Sequence, residues 1–159
     1  MKQENIAIFV DIQNIYYTVK KKYQSNFNYT KFWKQATNGR KVVKAIAYGI
    51  DRGDYQQRRF QNKLRDIGFN VKLKSFIQRK DGSAKGDWDV GIALDAIETA
   101  EDVDVVVLVS GDGDFDLLMD KIGNKFDTRT EVYGVPSQTA RSLINSVDCF
   151  FPINKPLLM

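Results

Sequence analysis

The hydrophobic pattern alternates between short continuous runs and longer helical stretches. NIAIFVDI at 5–12 is apolar almost throughout and predicts a buried strand. Positions 13–36 change to helical spacing, with Tyr16, Tyr17, Phe32 and Trp33 as apolar anchors, and SNFN at 25–28 splits them into two helices. VVKAIAYGI at 42–50 is a second strand. Asp54 and Gln57 stand three apart like a capping box. Phe60, Leu64 and Ile67 continue at helical spacing until Gly68 stops the helix. FNVKLKSFI at 69–77 alternates like a strand, and QRKDGSAKG at 78–86 reads as a polar loop.

The second half repeats the rhythm. WDVGIALDAIETA at 88–100 predicts a helix with Ile92, Ala93, Ala96 and Ile97 inward. VDVVVLVS at 103–110 is the most apolar run, as expected of a central parallel strand covered on both faces. A helix over 114–123 follows, with Asp114 as its cap and Gly123 as its stop. TRTEVYGV at 128–135 is a strand, Pro136 and Ser137 open a helix to about 145, and VDCFFPI at 147–153 is the last strand. Strands alternating with helices predict one α/β domain over 1–154, with a mainly parallel sheet and helices on both faces. KPLLM at 155–159 reads as a short tail and a candidate homodimer contact.

Composition narrows the chemistry. The 159 residues are 43% hydrophobic and 28% charged, a globular balance. No apolar run is long enough to span a membrane, and the amino terminus enters a strand without the core of a signal peptide. With one cysteine, Cys149, a cytoplasmic protein is expected. Histidine is absent, which excludes His-based triads and His-ligated zinc. A metal here would need oxygen ligands, as Mg²⁺, Mn²⁺ and Ca²⁺ prefer. DGDFD begins like a calcium loop, but Leu117 and Gly123 occupy the positions that would need Gly and Glu.

Net charge is only +4, yet it is unevenly spread. Residues 58–85 are dominated by Lys and Arg, including Arg58, Arg59, Lys63, Arg79, Lys80 and Lys85. Residues 87–120 contain neither Lys nor Arg, but many Asp and Glu. One segment could bind phosphates and the other cations, although two solvated faces of opposite sign would look the same. In open α/β sheets, functional groups gather beyond the carboxyl ends of the strands. Asp11 ends the first strand, Asp112 and Asp114 follow the most apolar one, and Asp89 lies at the start of a helix. Gathered together, these carboxylates would repel unless a cation sat among them. Each also has a simpler reading as a helix cap or a helix-dipole partner. Asp116 and Asp120 fit a solvated helix face. Asp87, Asp95 and Ser110 are candidates for supporting the ligands from behind, and Asn14 for orienting a ligand or water.

FVDIQN at 9–14, KGDWDV at 85–90 and SGDGDF at 110–115, in this order, resemble the NYN domain family. The resemblance is to its LabA-like branch, within the PIN-like nuclease superfamily, and covers nearly the whole chain. It implies a Rossmann-like α/β/α sandwich, an acidic Mg²⁺ or Mn²⁺ site, and a role in cutting or processing RNA. By the same resemblance the site aspartates are Asp11, Asp89, Asp112 and Asp114, with Asn14 as their companion and Lys85 and Gly86 ahead of Asp89. Asp87 is a second candidate there; the register of Val90 and Asp95 favours Asp89. The expected function is a metal-dependent ribonuclease in which Lys85, Arg58, Arg59, Lys63, Arg79 and Lys80 hold the RNA backbone. Tyr48 and Tyr55 are candidates for base stacking, with core packing the alternative for Tyr48. The rival is a non-catalytic regulatory or RNA-binding module on the same scaffold.

Overall fold

The continuous apolar run forms β1 (Asn5–Asp11), and the computed structural model places it at the centre of a sheet. The structure describes residues 3–75, 77, 78, 84, 85 and 87–159, with 77, 78, 84 and 85 described by their backbone alone. On one side of β1 lie β2 (Lys41–Asp51) and then β3 (Asn70–Ser75). On the other lie β6 (Val105–Val109), β7 (Arg129–Gly134) and β8 (Cys149–Pro152). All five pairings are parallel, so this six-stranded sheet is wholly parallel. The chain builds outward from β1 in one direction, then returns to β6 and builds outward in the other. The sheet order therefore reverses between β1 and β6, the place where α/β sheets open a crevice. Where the expected strand 69–77 gives way to the expected loop 78–86, β4 (Ile77–Gln78) and β5 (Ala84–Lys85) form a short antiparallel ladder.

The central strands are apolar throughout because both faces are covered. Ile6, Ile8 and Val10 face a core with Ile15, Val19, Phe32 and Leu64 from α1 (Ile12–Tyr23), α2 (Tyr29–Thr37) and α3 (Tyr55–Ile67). Ala7 and Phe9 face the opposite core. There they meet Ile92, Met119 and Leu143 from α4 (Asp89–Ala100), α5 (Asp116–Phe126) and α6 (Arg141–Asn145). Full burial of one such side chain stabilises by about 1.5–3 kcal/mol. Tyr16 and Tyr17, expected as anchors of the first helix, are instead 54% and 55% exposed; Ile15 and Val19 do the anchoring.

Three boundaries differ from expectation. α5 begins at Asp116 and runs through Gly123, ending at Asp127 in a left-handed conformation. A glycine inside a helix costs only about 1 kcal/mol, so the cap and not Gly123 sets the end. Pro136 opens a 3₁₀ turn (Pro136–Gln138), and α6 starts separately at Arg141. The tail is docked on its own chain. Leu157 is buried, its carbonyl accepts from the Asn28 amide at 2.8 Å, and the Met159 amide donates to Asn26 O at 2.9 Å. Leu157 is therefore engaged within its own domain. Among the described residues, no helix is long and apolar enough to cross a membrane.

Candidate metal centre

Asp11 is the last residue of β1, Asp112 lies three residues beyond β6, and Asp89 is the first residue of α4. Adjacent strands thus bring Asp11 and Asp112 together across the switch point, and the helix start delivers Asp89. One carboxylate oxygen from each lies within 4.8 Å of the others. None of the ion pairs among the described residues includes any of the three.

Ser110 and Asn14 stitch the two strand ends together. The Ser110 hydroxyl donates to Asp11 Oδ2 at 3.3 Å and accepts from the Asp112 amide at 3.1 Å. Asn14 Oδ1 accepts from the Gly111 amide at 2.8 Å, while the Asn14 amide donates to Asp11 Oδ1 at 3.4 Å. Asp11 is thus the cap of α1 and a wall of the site at once. Gly111 is required sterically, because a Cβ there would lie 2.5 Å from the Gln138 carbonyl oxygen.

Asp89 is held by a different device. Its amide donates to Asp87 Oδ1 at 2.7 Å. The preceding Trp88 donates from Nε1 to Gly49 O at 2.8 Å and packs on Tyr48 with ring centroids 5.2 Å apart. Lys74 Nζ stands 4.5 Å from the Trp88 ring centroid and donates to Asp87 O at 2.6 Å. Gly91 leaves room for that ring, since a Cβ there would come within 2.7 Å of it. Trp88, Lys74 and Gly91 escaped the sequence reading. Their only signal is a tryptophan at a helix start, with a glycine three residues on.

The electrostatics follow from crowding. Burial of the Asp11 carboxyl pushes its pKa up to about 6, and the nearby Asp112 and Asp87 charges add to this against the hydrogen bonds from Asn14 and Ser110. Asp89 is also raised, by burial first and then by its contacts with Asp87 and Asp112. A cation placed among these oxygens would reverse both shifts.

The remaining expected residues fall in several places. Asp114 is exposed and does not join the trio. Nor does it cap its helix: the chain makes a 3₁₀ turn at Gly113–Phe115, and Asp112 Oδ1 accepts the Asp114 amide at 2.9 Å. Asp95 bonds Tyr48 and Lys72, each at 2.8 Å. Burial works to raise its pKa, but these two partners outweigh it and hold it below the usual range. It thus supports Tyr48, which packs on Trp88. Tyr48 is core, while Tyr55 is exposed. Arg58, Arg59 and Lys63 are exposed on α3, across the sheet from α4. Arg79, Lys80, Gly86 and the Lys85 side chain lie outside the described residues.

The NYN domain model matches residues 5–154. The chain belongs to the NYN domain family. It is similar to the low amplitude and bright protein LabA of Synechococcus elongatus, at 28% identity over 161 residues. That match spans 96% of this chain and 86% of LabA. A crystal structure of a protein of unknown function from Vibrio parahaemolyticus is 53% identical, matches over 100% of both chains and superposes with a TM-score of 0.94. A carbohydrate kinase from Agrobacterium tumefaciens shares the fold at 12% identity and a TM-score of 0.53, over 94% of this chain and 60% of the kinase. This NYN domain therefore carries the family's α/β fold and an acidic cluster at its switch point.

Proposed function

We propose that this NYN domain is a ribonuclease that hydrolyses phosphodiester bonds with the help of Mg²⁺ or Mn²⁺. The observation that carries the reading is the carboxylate trio: three oxygens within 4.8 Å, with no cationic side chain among the described residues paired with them. The donor set suits a hard divalent ion. Such ions are bound through carboxylate oxygens, and the trio offers one from each of three side chains. Asp11, Asp89 and Asp112 would hold the ion, and Asp114 would contribute from the open side. When bound, it supplies charge to offset the phosphate and lowers the pKa of water. Ser110 and Asn14 fix the two strand ends so that the ligand set is formed in advance. The cations of α3 and of 79–85 would hold RNA phosphates. The exposure of Asp114 favours the rival, a non-catalytic RNA-binding module with an incomplete ligand set.

Labelled single-stranded RNA with Mn²⁺ or Mg²⁺ decides between them. Wild type should cleave, and Asp112→Asn should lower the rate on the order of 1,000-fold. The asparagine can still accept the Asp114 amide, so the fold should persist. Equal cleavage by the two proteins would end the nuclease reading, and RNA binding without cleavage would favour the module.

A further inference from the structure

A groove of about 530 Å³ runs between α1 and α3. Ile12, Tyr16, Tyr17, Tyr29, Gln56 and Phe60 are among its walls. We propose that this groove seats unpaired bases of the RNA strand whose backbone passes the carboxylate trio. The identity of the polymer rests on the ribonuclease reading; the mode of binding rests on the groove itself.

Its position joins it to the site. Ile12 directly follows Asp11, and Gly49, also in the wall, accepts the hydrogen bond of Trp88, which directly precedes Asp89. A strand with a phosphate at the trio would meet this groove next. Its volume falls within the range of roughly 300–1,000 Å³ common to ligand sites.

Its chemistry suits bases. Tyr16 and Tyr17 are more than half exposed, their centroids 5.6 Å apart and their planes nearly perpendicular at 77°. α1 buries Ile15 and Val19, so neither tyrosine ring is needed for the core. Base–aromatic stacking tolerates any sequence, because every base has a π-face. Gln13 and Gln56 line the groove, and their side chains make no hydrogen bond to a described residue, which leaves amide donors and acceptors for base edges. Asp54, the groove's acid, is engaged as the cap of α3, accepting from the Gln57 amide at 2.8 Å.

The surrounding charge suits a polyanion. α1 ends in the lysines of 20–22, and α3 carries Arg58, Arg59 and Lys63; Asp66 is the only acid within either helix. This favours a nucleic acid over a peptide as occupant.

The test is fluorescence anisotropy with the full chain in EDTA and a labelled oligouridylate, repeated with an abasic oligomer of the same length. Tyr16→Ala/Tyr17→Ala should weaken oligouridylate binding about tenfold or more, and Tyr16→Phe/Tyr17→Phe should stay within about twofold of wild type. The abasic oligomer should bind weakly to all three proteins. An unchanged melting temperature shows that the alanine variant remains folded. Wild-type affinity in the alanine variant, or equal binding of the abasic oligomer, overturns the groove. Cleavage is scored separately. A wild type that binds through its tyrosines without cutting RNA removes the ribonuclease reading and retains the groove. A wild type that cuts, with an alanine variant unchanged in Kd and KM, removes the groove alone.

Discussion

Two acidic clusters sit at opposite ends of the same sheet. At the amino ends of the strands, Glu131 is nearly enclosed and receives Arg40 at 2.8 and 2.9 Å and Arg129 at 3.1 Å, with Glu4 joining both arginines. At the carboxyl ends, Asp11, Asp89 and Asp112 crowd together with no such partner among the described residues. Burial pulls upward on Glu131 as it does on Asp11. Yet the arginines bring Glu131 below the usual carboxylate range, whereas Asp11 rises to about 6. The contrast is therefore one of cations and not of burial. One cluster is neutralised within the structure; the other, on the proposed reading, would be neutralised by an ion from outside.

Removing the carboxylate at the completed end should have the largest effect on stability. Glu131→Ala leaves Arg40 facing only Glu4 in a largely covered position. Loss of one partner from a buried pair costs about 3–5 kcal/mol. Urea unfolding measures it. A loss below about 1 kcal/mol would mean that the network is screened like a surface pair.

The carboxyl-end half of this contrast was legible in the sequence; the Glu131 network was not. Asp11 and Asp112 could be placed because they end two runs apolar enough to be neighbouring central strands. Asp89 could be gathered with them as a helix-start acid, though it also read as a dipole partner, and the family's register was needed to prefer it to Asp87. What escaped the sequence was set by tertiary contact. The 3₁₀ turn at Gly113–Phe115 moves the cap from Asp114 to Asp112, and no hydrophobic period reports so short a turn. Trp88 earns its place through Gly49 and Lys74, which are distant in sequence. Tyr16 and Tyr17 read as core because they are aromatic, but α1 turns Ile15 and Val19 inward instead.

Adding the missing cation should make the two clusters alike. If Mn²⁺ binds the folded site alone, as proposed, it should raise stability by about 2.7 kcal/mol at a hundredfold excess over Kd. The melting temperature should rise with Mn²⁺ in wild type and in the Tyr16→Ala/Tyr17→Ala variant, but far less in Asp112→Asn. An equal rise in Asp112→Asn would place the ion elsewhere and undo the contrast.

The smallest expected effect isolates the charge of one carboxylate in the absence of metal. Asp11 has its pKa raised from 3.8 to about 6 in the folded protein. Well below pH 3.8 it is protonated whether folded or unfolded, and there is no penalty. As pH rises toward 6 the unfolded chain ionises first, so stability falls; above 6 the penalty is present in full. Asp11→Asn cannot ionise, and its Oδ1 can still accept the Asn14 amide that caps α1. A shift of that size is worth about 3 kcal/mol, and the asparagine gives back about 1 kcal/mol by losing the Ser110 hydrogen bond to Oδ2. In EDTA the variant should therefore be more stable than wild type by roughly 2 kcal/mol at neutral pH, with the gap closing as pH falls below 3.8. A melting series across that range checks it. A variant less stable at neutral pH, or a gap independent of pH, would show that the Asp11 charge is already satisfied by Ser110 and the helix start. The carboxyl end would then be as self-sufficient as the amino end.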